Sequence, residues 1–187
     1  MMFLESINLL KPDIPGCSKI TDLGLERVRE WKERLGLRED FECISKLEPH
    51  KRGLGIQDLF AEIASKQGWN KKVSVKTSNE EIDVIIYKNR DFFLVECKWE
   101  KNRIESKVIR DFYGKLDGRE GVIGIIISMS GFANGAKEVV IDKMGSHYIL
   151  LFGAEDIKSL IYNNVDLEKL INEKYELLIT KKEILVK

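Results

Sequence analysis

Several absences narrow the field before any motif is considered. The 187 residues hold three cysteines, Cys17, Cys43 and Cys97, which are odd in number, scattered and never in CxxC spacing. That argues against a disulfide framework or a structural zinc site, and a reducing cytoplasm is the expected compartment. Only two histidines occur, His50 and His147, one in a Pro/Gly-rich stretch and one at the start of a strand, so a histidine-metal centre has little to draw on. No apolar run approaches the roughly 18 residues of a membrane span. The start, MMFLESINLLKPD, has no basic segment leading into an apolar block, so no signal peptide is expected. Ser128 and Ser130 lack a G-x-S-x-G elbow, and SGFANGA lacks the Gly-Lys-Ser/Thr ending of a phosphate loop. Any motor partner would be a separate chain. Net charge is also missing, with 31 basic and 31 acidic residues. Global charge therefore does not point to nucleic acid, although a local patch can still steer it.

What is present is an ordinary globular composition, 43% hydrophobic and 33% charged, long enough for one domain with a core and some decoration. Residues 1 to about 22 read as irregular. LGLERVREWKERLGL, 23–37, reads as a helix with Leu25, Val28, Trp31, Lys32 and Leu35 in a stripe and Gly36 as its stop. LEPHKRGLG, 47–55, reads as a linker or domain edge. From residue 55 the pattern is regular. A helix with Ile56, Phe60, Ile63 and Gln67 on one side ends at Gly68. Strands KVSVKT, EIDVIIYK and FFLVECKW follow, the last two forming a hairpin about NRD. ESKVIRDFYGKLDG is a helix, GVIGIIISMS a strand buried on both faces, NGAKEVVIDKMG a helix, HYILLF a strand and AEDIKSLIYN a helix. The order α-β-β-β-α-β-α-β-α predicts an α/β fold, a mixed central sheet flanked by helices. One more amphipathic helix is expected over 166–180. The expected organisation is an N-terminal extension over 1–50, a main domain over 51–164, and a C-terminal helix and tail over 165–187.

Two apolar strands are interrupted by charge. Side chains alternate faces along a strand, so Glu96 and Lys98 share a face while Val95 and Cys97 point the other way. Asp83 breaks the preceding strand, and the hairpin would bring it to the same end. Two carboxylates side by side repel, and burying them is costly without compensation. A divalent cation offers that compensation. Carboxylates are usual ligands for Mg²⁺, which acidifies a water and neutralises charge on a phosphate. A lysine on the same face would orient that water or stabilise the developing charge. That reading is phosphodiester hydrolysis; the other is a structural salt-bridge cluster at a sheet rim.

EIDVII…FFLVECKW resembles the central motif of the PD-(D/E)xK nuclease superfamily, an Asp, a hairpin, then (Asp/Glu)-x-Lys. The wider context resembles its Mrr-type restriction endonuclease branch. GLGIQDLFAEIASKQGW is similar to the branch's opening helix, SGFANGAKEVV to its G-F-T-x-x-A segment, and ILLFGAEDIKSLI to its closing strand and helix. The likeness covers about residues 53–163. It implies a restriction-endonuclease-like core in which Asp83, Glu96 and the backbone carbonyl of Cys97 hold Mg²⁺, with Mn²⁺ as a substitute, and Lys98 is the catalytic lysine. It places Gln57 where the branch usually has Glu, a neutral and weaker ligand. Glu62 lies about 140° around the helix from Gln57, so the two do not easily substitute for each other.

Arg103, Lys107, Arg110, Lys115 and Arg119 lie on or beside the helix after the motif. Their spacing suits contact with a phosphate backbone, or equally a solvated face, since Glu105, Asp111 and Asp117 are interleaved. The expected partner is DNA, and the expected activity is metal-dependent DNA endonuclease in restriction, defence or DNA processing. Cutting both strands calls for two sites, which favours a homodimer. Two alternatives stay open: a nucleic-acid-binding module that keeps the fold without the activity, and a nuclease acting on branched DNA or RNA.

Overall fold

The structure, a computed structural model, describes residues 10–14, 17–77 and 80–186. Its contacts divide the chain into two compact units, Met1–Glu39 and Asp40–Lys187. In the first, β1 (Leu10–Ile14) and β2 (Cys17–Ile20) form an antiparallel pair where an irregular segment was expected. Helix α1 (Asp22–Ser45) follows. Gly36 does not stop it: with φ not forced positive and helix on both sides, a glycine only lowers helix propensity. Leu25, Val28 and Leu35 are exposed, so that stripe is not a core face; the side chains of Trp31 and Lys32 lie outside the described residues. Leu37 and Phe41 are buried instead.

The second unit holds α2 (Pro49–Lys66), β3 (Asn70–Lys76), β4 (Glu81–Lys88), β5 (Asp91–Lys98), α3 (Ser106–Leu116), β6 (Ile123–Ser128), α4 (Asn134–Asp142), β7 (Ile149–Phe152), α5 (Ala154–Tyr162) and α6 (Leu167–Lys181). The five strands form one sheet in the order β3-β4-β5-β6-β7, antiparallel through β5 and parallel from β5 to β7. This is the mixed sheet that the element order predicts. The stretch 47–55 is not a linker. Pro49 sits in the first turn, where its missing N–H costs nothing, and α2 runs on through Gly53 and Gly55. Gly55 has a packing reason: a Cβ there would lie 2.8 Å from Ile44 side-chain carbons.

The two sheet faces can be told apart from their contacts. Phe60 of α2 meets Phe152 edge-on, and Trp69 meets Phe93 likewise. The α2 side therefore carries Phe93, Val95 and Cys97 by the period-two alternation. Gly124 of β6 faces α3, where an added Cβ would lie 2.7 Å from Phe112. Its register partner Leu94, and with it Glu96 and Lys98, belongs to the α3 side.

Helix α6 is held by a buried ion pair that periodicity does not reveal. Lys174 is 3% exposed, and its Nζ donates to Asp156 Oδ2 at 2.9 Å, to the Leu151 carbonyl at 3.0 Å and to the Leu185 carbonyl at 2.6 Å. Asp156 Oδ2 also accepts from Gly153 N at 2.8 Å, closing the first turn of α5. Removing one partner of such a pair leaves a buried charge. Lys174→Ala is expected to cost about 3–5 kcal/mol of unfolding free energy, read from urea denaturation.

Candidate active site

The register of the hairpin builds the site. Val84 pairs with Val95, and the ladder between β4 and β5 ends there. One residue further, Asp83 stands opposite Glu96, while β4 stays paired to β3 through Ile82 and Glu81. At this end β4 leaves β5. Instead of a backbone carbonyl, the Asp83 side chain takes up the freed donor: Cys97 N donates to Asp83 Oδ2 at 2.8 Å. The apolar residues before this point, Ile82, Val84, Leu94 and Val95, are buried, which fixes the rotation of both strands and so the direction of the carboxylates.

Glu96 is 8% exposed and held by two ammonium groups. Lys98 Nζ lies 2.7 Å from its Oε1, and Lys115 Nζ lies 2.7 Å from its Oε2. Burial pushes the Glu96 carboxyl up, but the two lysines outweigh it, Lys98 foremost, and hold it below the usual range. Asp83 goes the other way. Burial first, then repulsion from Glu96, pushes its carboxyl above the ordinary aspartate value, and the Cys97 N–H and the lysines only partly offset this. Burial pulls the Lys98 ammonium down, yet Glu96 and then Asp83 leave it raised overall. Two adjacent carboxylates thus sit in unlike states, one compensated and one reluctant to ionise.

Asp83 and Lys98 open onto a groove of about 310 Å³ whose lining also includes Gln57, Cys97, Trp99, Glu100 and Lys101, while Glu96 is buried behind them. Gln57 from α2 and Asp83 from β4 line this groove together. Gln57 is 5% exposed, and its Nε2 donates to Ser74 Oγ at 2.8 Å. Glu62 is spent elsewhere: Lys71 Nζ donates to it at 2.7 Å, and this bond holds its carboxyl below the usual range. The Cys97 thiol is buried and pushed well up by that burial, so the residue offers its backbone rather than its sulfur.

The donor set suits a hard divalent cation. Asp83, Glu96 and a backbone carbonyl would offer it oxygen atoms, and a dication would relieve the repulsion that raises Asp83. Among the described residues no group of three or more His, Cys, Asp or Glu side chains gathers.

Of the cations read as phosphate contacts, Arg103, Lys107 and Arg110 are exposed, with Arg110 donating to Ser106 Oγ at 3.1 Å. Lys115 belongs to the centre itself. Besides Glu96, its Nζ donates to the Glu81 carbonyl at 2.8 Å. Arg119 pairs with Glu80. Lys115 ties α3, and Arg119 the turn after it, to the start of β4, two to three residues from Asp83. Spacing alone could not separate Lys115 from its outward neighbours, because the distinction depends on which face of α3 meets β5. Arg52, at the end of the HKR run, lies over the Trp99 ring at 5.6 Å, and Trp99 stacks on Phe41 at 5.5 Å. No carboxylate among the described residues pairs with Arg52. Ser128 Oγ donates to the Gly131 carbonyl at 2.8 Å, a turn contact.

A restriction endonuclease family description, of the Mrr catalytic type, matches residues 52–161, more than half of the chain. No curated protein matches the sequence. Among solved structures, the MspJI restriction endonuclease in complex with a 27-mer oligonucleotide is similar at 16% identity and a TM-score of 0.45, over 83% of this chain and 37% of that one. A repair endonuclease from Pyrococcus abyssi is similar at 12% and 0.41, over 57% and 47%. A protein of unknown function is similar at 18% and 0.47, over 66% and 75%. The chain thus spans less than half the length of the two nucleases.

The raised Asp83 carboxyl has a consequence for stability. A carboxylate whose folded value exceeds its unfolded value favours folding when protonated, and that contribution is lost as pH rises through the folded value. Asp83→Asn keeps an acceptor for Cys97 N without the charge. Free of divalent ions, it should melt above wild type at neutral pH, and the gap should close as pH falls toward about 4 in thermal scans.

Proposed function

The chain belongs to the Mrr-type restriction endonuclease family of the PD-(D/E)xK superfamily, and from that membership we propose that it is a metal-dependent DNA endonuclease. One observation carries the reading: Asp83 and Glu96 stand opposed where β4 leaves β5, Lys98 pairs with Glu96, and Asp83 and Lys98 line an open groove. A salt-bridge cluster at a sheet rim would pair every charge, whereas here the Asp83 carboxyl remains under strain from burial and from its neighbour.

Asp83, Glu96 and the Cys97 carbonyl would hold Mg²⁺, or Mn²⁺ in its place, which supplies an acidified water and charge neutralisation on the scissile phosphate. The side chains supply the rest. Lys98 keeps its proton, since both carboxylates raise its ammonium, so it acts as a donor to a phosphate oxygen and not as a base. Glu96 is kept ionised and oriented by Lys115 from one side and Lys98 from the other. Gln57 offers its carboxamide to water in the groove without adding charge. Lys101 in the lining and Arg52 on Trp99 add positive charge there for the substrate backbone. The exposed Arg103, Lys107 and Arg110 extend that charge along α3. Cleavage of both strands calls for a pair of such sites, so the working form is a homodimer or a complex with a partner protein.

A second reading has its own support. Both Glu96 oxygens already accept from lysines, and Gln57 is neutral, so the centre is partly compensated without a cation. On that reading the protein binds nucleic acid without cutting it.

Cleavage of supercoiled plasmid decides between them. Wild type with Mg²⁺ or Mn²⁺ is expected to nick and linearise it. Asp83→Ala and Lys98→Ala should each slow the reaction at least about 10²-fold. Lys115→Met should give a smaller loss of about tenfold, since it acts on Glu96 and not on substrate. An inert wild type across both metals and across duplex, branched, single-stranded and RNA substrates establishes the binding module instead.

A further inference from the structure

Ser74 lies within β3 yet has φ of 51°, in the left-handed region that side-chain-bearing residues rarely occupy inside a strand. Its neighbours are regular: Val73 pairs with Val84 and Val75 with Ile82, so Ser74 faces Asp83 across a rung that does not close. Val84 pairs in turn with Val95, which puts Val73 and Val75 on the α2 side of the sheet. Regular alternation would send the Ser74 hydroxyl to the opposite side, the one that carries Glu96. The left-handed turn redirects it, and Ser74 Oγ instead accepts from Nε2 of Gln57 on α2 at 2.8 Å. That bond uses the amide nitrogen of a nearly buried carboxamide. The oxygen takes no hydrogen bond among the described residues and is left to the groove that Gln57 shares with Asp83 and Lys98. A backbone outlier beside a catalytic cluster, with its side chain on a residue of that cluster, is where stored strain carries information about function.

We propose that Ser74 is a positioning residue: its strained conformation aims the Gln57 carboxamide oxygen into the groove, where it accepts a hydrogen bond from the hydration shell of a divalent cation. The inference rests on the nuclease reading for the identity of that cation's site. It explains how a neutral residue works at the position where the family usually has a carboxylate. A charged ligand is drawn to a cation by itself, whereas an amide has to be told which of its two ends to present. In this structure the Ser74 hydroxyl takes the nitrogen end, which leaves the oxygen end to the groove.

Two substitutions separate strain from positioning. Ser74→Ala keeps the strain and loses the bond, while Ser74→Gly relieves the strain and loses the bond. In an ordinary strand position Gly is the less stable of the two. Here Ser74→Gly should melt roughly 2–4 °C above Ser74→Ala in the metal-free protein. Both should bind Mn²⁺ about tenfold more weakly than wild type by direct titration, and both should lower kcat on plasmid DNA with KM nearly unchanged. Gln57→Leu should weaken Mn²⁺ to the same extent, with no further loss when combined with Ser74→Gly. The proposal is overturned if Ser74→Ala melts at or above Ser74→Gly, if either variant keeps wild-type Mn²⁺ affinity, or if wild type binds no Mn²⁺. If wild type binds Mn²⁺ with the expected ranking of variants but cuts no nucleic acid, the Ser74 assignment stands and the nuclease reading alone falls.

Discussion

Two carboxylates facing each other across one pair of β-strands are the constraint to which the rest of this domain answers. Left alone, Asp83 and Glu96 would repel at close range in a poorly hydrated place. The chain answers in three ways. Two ammonium groups bracket Glu96, a backbone N–H is turned onto Asp83, and the two strands part at this rung so that water and solute can enter. The compensation is uneven. Glu96 is held ionised, while Asp83 is left with a raised carboxyl. On the proposed nuclease reading, that imbalance is what a bound cation would relieve.

The surrounding elements maintain this geometry from both faces of the sheet. On one side α3 reaches down with Lys115 to Glu96 and the Glu81 carbonyl, and the turn after it reaches Glu80 with Arg119. These bonds fix the start of β4 just before Asp83. On the other side α2 delivers Gln57, and its close approach to Ile44 depends on the missing side chain of Gly55. The buried Lys174–Asp156 pair joins α6 to α5 and to the last strand. The rung of Asp83 and Glu96 is therefore braced at the strand and at both helices, which is what a centre with unfavourable charge requires in order to keep its shape.

The strands, their hairpin and the α/β order were legible because burial leaves a pattern in the sequence: β6 is apolar up to its final Ser128 and buried through nearly its whole length, and β4 alternates. Helix ends were less so. Gly36 and the HKRGLG stretch look like breaks by composition, yet α1 and α2 run through them, because glycine in a helix costs about 1 kcal/mol and packing can exceed that. Lys115 read as one of a row of outward cations, and Ser74 read as nothing at all. Neither residue type nor spacing records a left-handed φ, and helical periodicity does not say which strand a helix crosses.

The sequence by itself determined the membership of the fold, the strand register and therefore the meeting of Asp83, Glu96 and Lys98, because alternation along two adjacent strands is a local property that apolar neighbours enforce. Only the tertiary structure decided what those groups experience. The second lysine on Glu96, the amide held by Ser74, and the opposite shifts of two adjacent carboxyls all come from elements 10 to 40 residues away in the chain. Charge, burial and hydrogen bonding act through space, and no pattern along the chain encodes them.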